Sequence, residues 1–346
     1  MALSKVVDKL KRGRLIVTLS VVLLVVMIAG MALGAVDIAP TRFWQALEQL
    51  LFQPATEWDY ETIVIFRLRL PRVVLAAMVG AGLAIAGAVL QGLLHNGLAD
   101  SHILGVSAGA SLGAATAMLL GLRFRFFGLG AVTPMAFIGA VLTLLVVLLL
   151  GRRVAGRSTL GLLLAGIAMS SFLSALVSLL VYFSGNRIHP LLFWLMGSFA
   201  ARGWNHVFLA APYLIAGYAL AFFYHRYLTA ISLGDMTAHH LGVDVERIRF
   251  LLLCSTALLT AAAVAVSGVI GFVGLMTPHV ARLFGGENYR RLLPYSALVG
   301  AIFMTAADIL SRFLLRPTEL PVGIITALVG GPFFLYLLAS SRKEML

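Results

Sequence analysis

Apolar runs of membrane length alternate with short polar breaks along almost the whole chain. A helix needs about 20 apolar residues to cross roughly 30 Å of hydrocarbon. On that measure the pattern predicts ten helices, at about 15–36, 73–94, 103–121, 127–150, 159–183, 206–224, 250–266, 268–285, 292–311 and 321–339. The expected fold is an all-α integral membrane protein, one transmembrane unit over 1–346. The seventh and eighth runs adjoin at Ser267-Gly268 with almost no loop, which leaves room for a broken or re-entrant helix. Pro278 and Pro321 are read as marking helix ends or breaks, since proline removes a backbone donor and restricts the residue before it.

Two polar intervals are long enough to fold. Residues 37–66 contain an amphipathic piece at Thr41–Phe52, whose Phe43, Leu47, Leu50 and Leu51 suit a membrane interface. In residues 225–249, Asp235 opens a short helical pattern, Gly242 closes it, and a second short turn leads to Arg249. Connections in helical bundles usually take about 2–8 residues. This longer segment is therefore read as a docking platform for a soluble partner.

Composition agrees with the pattern. Of 346 residues 61% are hydrophobic and 12% charged, against about a quarter charged in soluble domains. The net charge of +12 is assigned to basic residues flanking membrane spans, not to nucleic-acid binding. With the N-terminus inside, inner segments carry sixteen Lys and Arg against ten outside, and all four lysines are inner. That places both termini in the cytoplasm. The first apolar run exceeds the 7–15 residues of a signal-peptide core, so it is read as an uncleaved span.

The stretch Arg67–Ser111 concentrates the unusual features. An arginine cluster around Pro71 leads into a Gly/Ala-rich helix, then a polar break (Gln91, His95, Asn96, Asp100, Ser101, His102), then a second small-residue helix. Gly105, Gly109 and Gly113, four residues apart, predict one flat helix stripe. Small residues matter in a bilayer because helices there associate by close backbone packing. A polar break between such helices must meet water or protein, because lipid cannot satisfy it.

Chemistry of other kinds is thin. Every lysine lies at 5, 9, 11 or 343, so no glycine loop carries the lysine of a nucleotide-binding P-loop. No nucleophile–base set recommends catalysis. His95, His102, His239, His240 and the lone Cys254 are not spaced as a metal site. Asp308 is the acidic residue well inside a span. Proton relay is the sharp reading of it, and an ion pair with Arg312, one turn on, is the plainer one.

At this point the chain resembles the permease subunits of bacterial ABC importers for iron–siderophore complexes, haem and cobalamin. RLPR at Arg69–Arg72, VGAGLAIAGAVLQGLLHNGLADSHILGVSAGAS from Val79, GVIGFVGLMTPHVARLFGG from Gly268, YRRLLP at Tyr289–Pro294, AADIL at Ala306–Leu310 and ELPVGIITALVGGPFFLYLL from Glu319 follow in family order. The resemblance implies the type II importer permease architecture. Its partners would be a second permease copy or paralogue, two cytoplasmic ATPase subunits holding ATP and Mg, and a periplasmic binding protein. The chain itself would hold no cofactor. It further implies binding-protein docking at Arg69, Arg72 and Arg312, ATPase coupling through Asp235, Ala238, Leu241 and Gly242, and a gate at Asn96, Leu98, Ser158 and Thr159. Iron chelates are the expected cargo, with cobalamin or molybdate as alternatives. An ion-coupled secondary transporter is the competing class. Two departures stand out: Gly97 and Ser101 occupy positions where the family has prolines, and Met236-Thr237 replaces the usual acid and small residue.

Overall fold

The computed structural model describes residues 2–34, 40–54, 56–154 and 159–341. All ten expected helices are present among them. In chain order the helices are α1 (Ala2–Ala32), α2 (Pro40–Phe52), α3 (Tyr60–Leu93), α4 (Val106–Leu119), α5 (Val132–Val154), α6 (Thr159–Tyr182) and α7 (Ile188–Leu195). They continue with α8 (Trp204–Phe223), α9 (His225–Ser232), α10 (Asp235–His240), α11 (Val245–Ser267), α12 (Val273–Gly285), α13 (Tyr289–Phe313) and α14 (Val322–Ser341). Eight are long and apolar enough to cross a membrane. The exceptions among the ten are α4, with 14 residues, and α12, with 13. At 1.5 Å per residue each reaches only about 20 Å, so its ends must be completed by protein.

The boundaries moved for local reasons. The third helix splits because Gly105 adopts φ +75°, which separates a 3-10 turn at Ser101–Leu104 from α4. The fourth starts late, because a hairpin (β1 Arg125–Phe126, β2 Leu129–Gly130) precedes it. The seventh and eighth are separated by five unwound residues after Ser267. There Ser267 O accepts from the Ser198 amide at 2.7 Å, and the Trp194 carbonyl at the end of α7 lies against Gly268. The short α7 was not anticipated: its IHPLLFWL stretch is far below spanning length. Pro278 lies inside α12, not at an end.

The Gly/Ala-rich α3 and the Ala-rich α11 form the buried centre, while α1, α6 and α14 sit at the periphery and present residues such as Leu24, Phe172 and Leu328 outward. The centre is tight because glycines let backbones touch. A methyl on Gly80 would overlap the Gly300 carbonyl of α13, and one on Gly87 would overlap the backbone of Gly274 in α12. Gly109 and Gly113 likewise meet the α5 backbone at Gly139 and Met135. Gly105 does not extend their stripe; it is the left-handed residue that starts α4. On α2, Ala46 is buried and Leu47 packs inward, while Leu51 and Phe52 are exposed. Leu47 therefore faces the protein and not the interface, and the side chain of Phe43 lies outside the described residues.

Candidate functional site

At one end of the bundle the expected arginines do come together, but inside the protein. Asp308 is fully buried on α13, and Arg72 of α3 grips it through Nε at 3.0 and 3.2 Å and through a second nitrogen at 2.9 Å. Arg312, one turn along α13, reaches Asp308 Oδ2 at 3.1 Å. Arg72 also holds Glu319 at 2.8 Å. The same end closes α1: Arg312 donates to the carbonyls of Gly30 (3.0 Å) and Leu33 (3.2 Å), and Arg69 to those of Met31 (2.9 Å) and Ala32 (2.7 Å). The last carbonyls of a helix lack intrahelical partners and carry its negative dipole end, so two guanidinium groups there satisfy both needs. The three arginines expected to dock the binding protein are therefore largely buried. Arg69 and Arg312 are only 6% and 3% exposed, and Glu319, with 30% of its side chain open, is the charge nearest solvent. Asp308, with two guanidinium partners, is a structural ion-pair centre and not a free relay.

At the other end, the polar break after α3 is an ordered turn. Asn96 Oδ1 accepts the Leu98 amide at 2.9 Å and its carbonyl accepts the Ala99 amide at 3.1 Å, while Asn96 and Leu98 stay exposed. Asp100 caps the following 3-10 turn through the Ser101 amide at 2.6 Å. A proline at position 101 has no such donor. Gly97 has open space around it and keeps φ out of the left-handed region. Of the expected gate residues in the next loop, Ser158 lies outside the described residues. Thr159 is the first residue of α6, and its side chain lies outside them too.

The residue that ties this loop down is Gln91, which the sequence alone offered only as the first residue of the polar break. Its amide nitrogen donates to the carbonyls of Ala99 (3.4 Å), Gly274 (3.3 Å) and Leu275 (3.2 Å), and its oxygen accepts from Arg282 at 2.6 Å. Pro278 explains why Gly274 is available: without an N–H it frees the carbonyl four residues back. Gly87, one turn before Gln91, provides the close approach that brings these groups into reach. His95 Nε2 donates to the Ile231 carbonyl of α9 at 2.6 Å, and His102 Nε2 to the Ile270 carbonyl in the unwound segment at 3.1 Å. The loop is thus hydrogen-bonded both to the broken helix and to the segment 225–249.

That segment forms two short helices, α9 and α10, and residues 245–249 begin α11 in place of a separate turn. Leu228, Ile231 and Ala238 are fully buried and fix the pair to the bundle. Leu233, Met236 and Leu241 are 65%, 74% and 66% exposed, an apolar ridge on the α9–α10 platform that also exposes His239 and His240. Asp235 pairs with Arg249 at 2.6 Å, and Gly242 turns the chain at φ +78°.

Comparison with known proteins agrees over the whole chain. The model of the FecCD transport family matches residues 22–340. The cobalamin import system permease protein BtuC of Halobacterium salinarum is 46% identical, over 88% of this chain and 81% of its own. The Fe(3+)-citrate import system permease protein YfmE of Bacillus subtilis is 38% identical, over 99% and 100%. Among solved structures, a metal-chelate type ABC transporter in an inward-facing conformation is 33% identical. It superposes with a TM-score of 0.83 over 95% of this chain and 99% of its own.

Proposed function

The chain belongs to the FecCD transport family and is a multi-pass protein of the cytoplasmic (inner) membrane, and from that premise we propose that it is the membrane-spanning permease subunit of an ATP-driven importer of iron chelates. Two such subunits enclose the pathway, a periplasmic binding protein delivers the chelate, and two ATPase subunits supply ATP hydrolysis from below. The observation that carries the reading is the apolar ridge of Leu233, Met236 and Leu241 on a platform anchored by Leu228, Ile231 and Ala238. An exposed apolar patch rimmed by polar groups is what an obligate soluble partner covers. A push on α9 reaches the loop at Asn96–Leu98 through the His95–Ile231 bond, and the loop reaches the broken helix through Gln91. Gating follows from that linkage. At the outer end, a docking protein meets Glu319 and Arg72 first, while Arg69 and Arg312 hold the frame it docks on.

Purified alone, the chain is expected not to hydrolyse ATP; in proteoliposomes with its ATPase partner and binding protein it drives uptake of a ferric chelate. Uptake by the chain alone, abolished by an uncoupler, would instead establish an ion-coupled carrier. The 46% identity to a cobalamin permease favours cobalamin as the second cargo. Parallel assays with ferric citrate, haemin, cobalamin and molybdate separate the cargos.

A further inference from the structure

An apolar cavity of about 290 Å³ lies away from the groups described above. Its floor is Ala262, Ala265 and Val266 of α11, and its walls come from α5 and α8. Phe124, just before the outer hairpin, and Phe126 within it complete the lining. The rings of Phe137 and Tyr213, with centroids 4.8 Å apart, close the far end. Counting at 1.5 Å per residue from the outer ends of α5, α8 and α11, the lining spans depths of about 2 to 14 Å, within the outer half of a bilayer roughly 30 Å thick.

A second observation stands at the mouth. On α8, His206 lies on the same face as Leu209, Ala210 and Tyr213, one turn nearer the outer surface. His206 is bonded by Arg202 at 3.2 Å. Arg202 has no carboxylate partner among the described residues, and its buried Nε has no hydrogen-bond partner. Burial lowers its pKa from the usual guanidinium range. A charge in that position is costly unless an anion is supplied from outside the chain. Arg123 and Arg125, exposed at the outer hairpin, add positive field at the same level.

We propose that this is a phospholipid site on the outer leaflet, with one acyl chain in the cavity and an anionic headgroup phosphate on Arg202. A guanidinium at headgroup height above a dry slot matches a molecule charged at one end and apolar at the other. Neither a soluble anion nor an uncharged lipid satisfies both parts.

The test is native mass spectrometry of the full chain released from detergent, offered phosphatidylglycerol and phosphatidylcholine with identical acyl chains. Phosphatidylglycerol is expected to be retained about fivefold better, because phosphatidylcholine carries a choline cation beside the same phosphate and so presents no net charge to Arg202; about 1 kcal/mol for one arginine near a net anion is that factor. Arg202→Gln brings the two lipids to parity, and Arg202→Lys restores the preference. Ile138→Trp, at a half-exposed wall position, lowers retention of both lipids and leaves the chain folded. Chain-free glycerol phosphate in excess does not compete. Equal retention of the two lipids by the wild type, wild-type retention by the Ile138→Trp variant, or displacement by glycerol phosphate overturns the proposal.

Discussion

The two ends of this bundle each carry an Arg–Asp pair, and the pairs do opposite jobs. At the outer end Arg72–Asp308 is sealed, with side chains 11% and 0% exposed, and shares its charges with Arg312, Glu319 and the end of α1. At the inner end Arg249–Asp235 has a guanidinium nearly as covered as that of Arg72 (13% exposed) but a carboxylate that is 46% exposed, beside an apolar ridge that faces water. The chemistry of contact is nearly identical, with distances of 2.9 and 2.6 Å. Burial decides the consequence. A sealed network fixes three helices in one arrangement, because removing one partner strands the others in low dielectric. A pair whose carboxylate is half solvated trims the orientation of α10 and leaves its surface free to bind.

The strongest way to break this contrast is Asp308→Asn. It leaves two buried guanidinium groups without their shared anion and is expected to cost about 3–5 kcal/mol, read as a large drop in thermal denaturation temperature in detergent. Second in size, Met236→Asp with Leu241→Asp should weaken ATPase-subunit binding by about 2 kcal/mol, the scale of an apolar anchor. Denaturation of the isolated chain should stay unchanged. A fall in stability with intact ATPase binding would turn the platform into a structural element. Within the outer cluster, Glu319→Gln is expected to cost only about 1 kcal/mol, because that carboxylate is partly solvated and Arg72 keeps Asp308. Asp235→Asn comes last, below about 1 kcal/mol, and its removal at high salt should be nearly silent. If Asp235→Asn proved as damaging as Asp308→Asn, burial would not be what separates the two ends.

Much of the inner end was legible from residue order. Asp235 starts α10, Gly242 ends the platform, and the polar break at Asn96–Asp100 is a turn, because capping and turn chemistry are local. The role of Gln91 was not legible. It depends on a proline 187 positions away freeing a carbonyl that Gly87 allows α3 to approach, and neither link leaves a mark near Gln91. His95 was likewise indistinguishable from any loop histidine until Ile231 came to face it.

By itself, the sequence determined the all-α membrane architecture, its ten helices and the family, because hydrophobic length and motif order are properties of the chain alone. It also located the break at Ser267-Gly268. Only the tertiary structure decided which charges are sealed and which are open. Arg69, Arg72 and Arg312 look like surface arginines in one dimension. They became internal once α1 ended against them and Asp308 turned inward. Exposure belongs to packing, and packing between helices 236 residues apart cannot be read from either one.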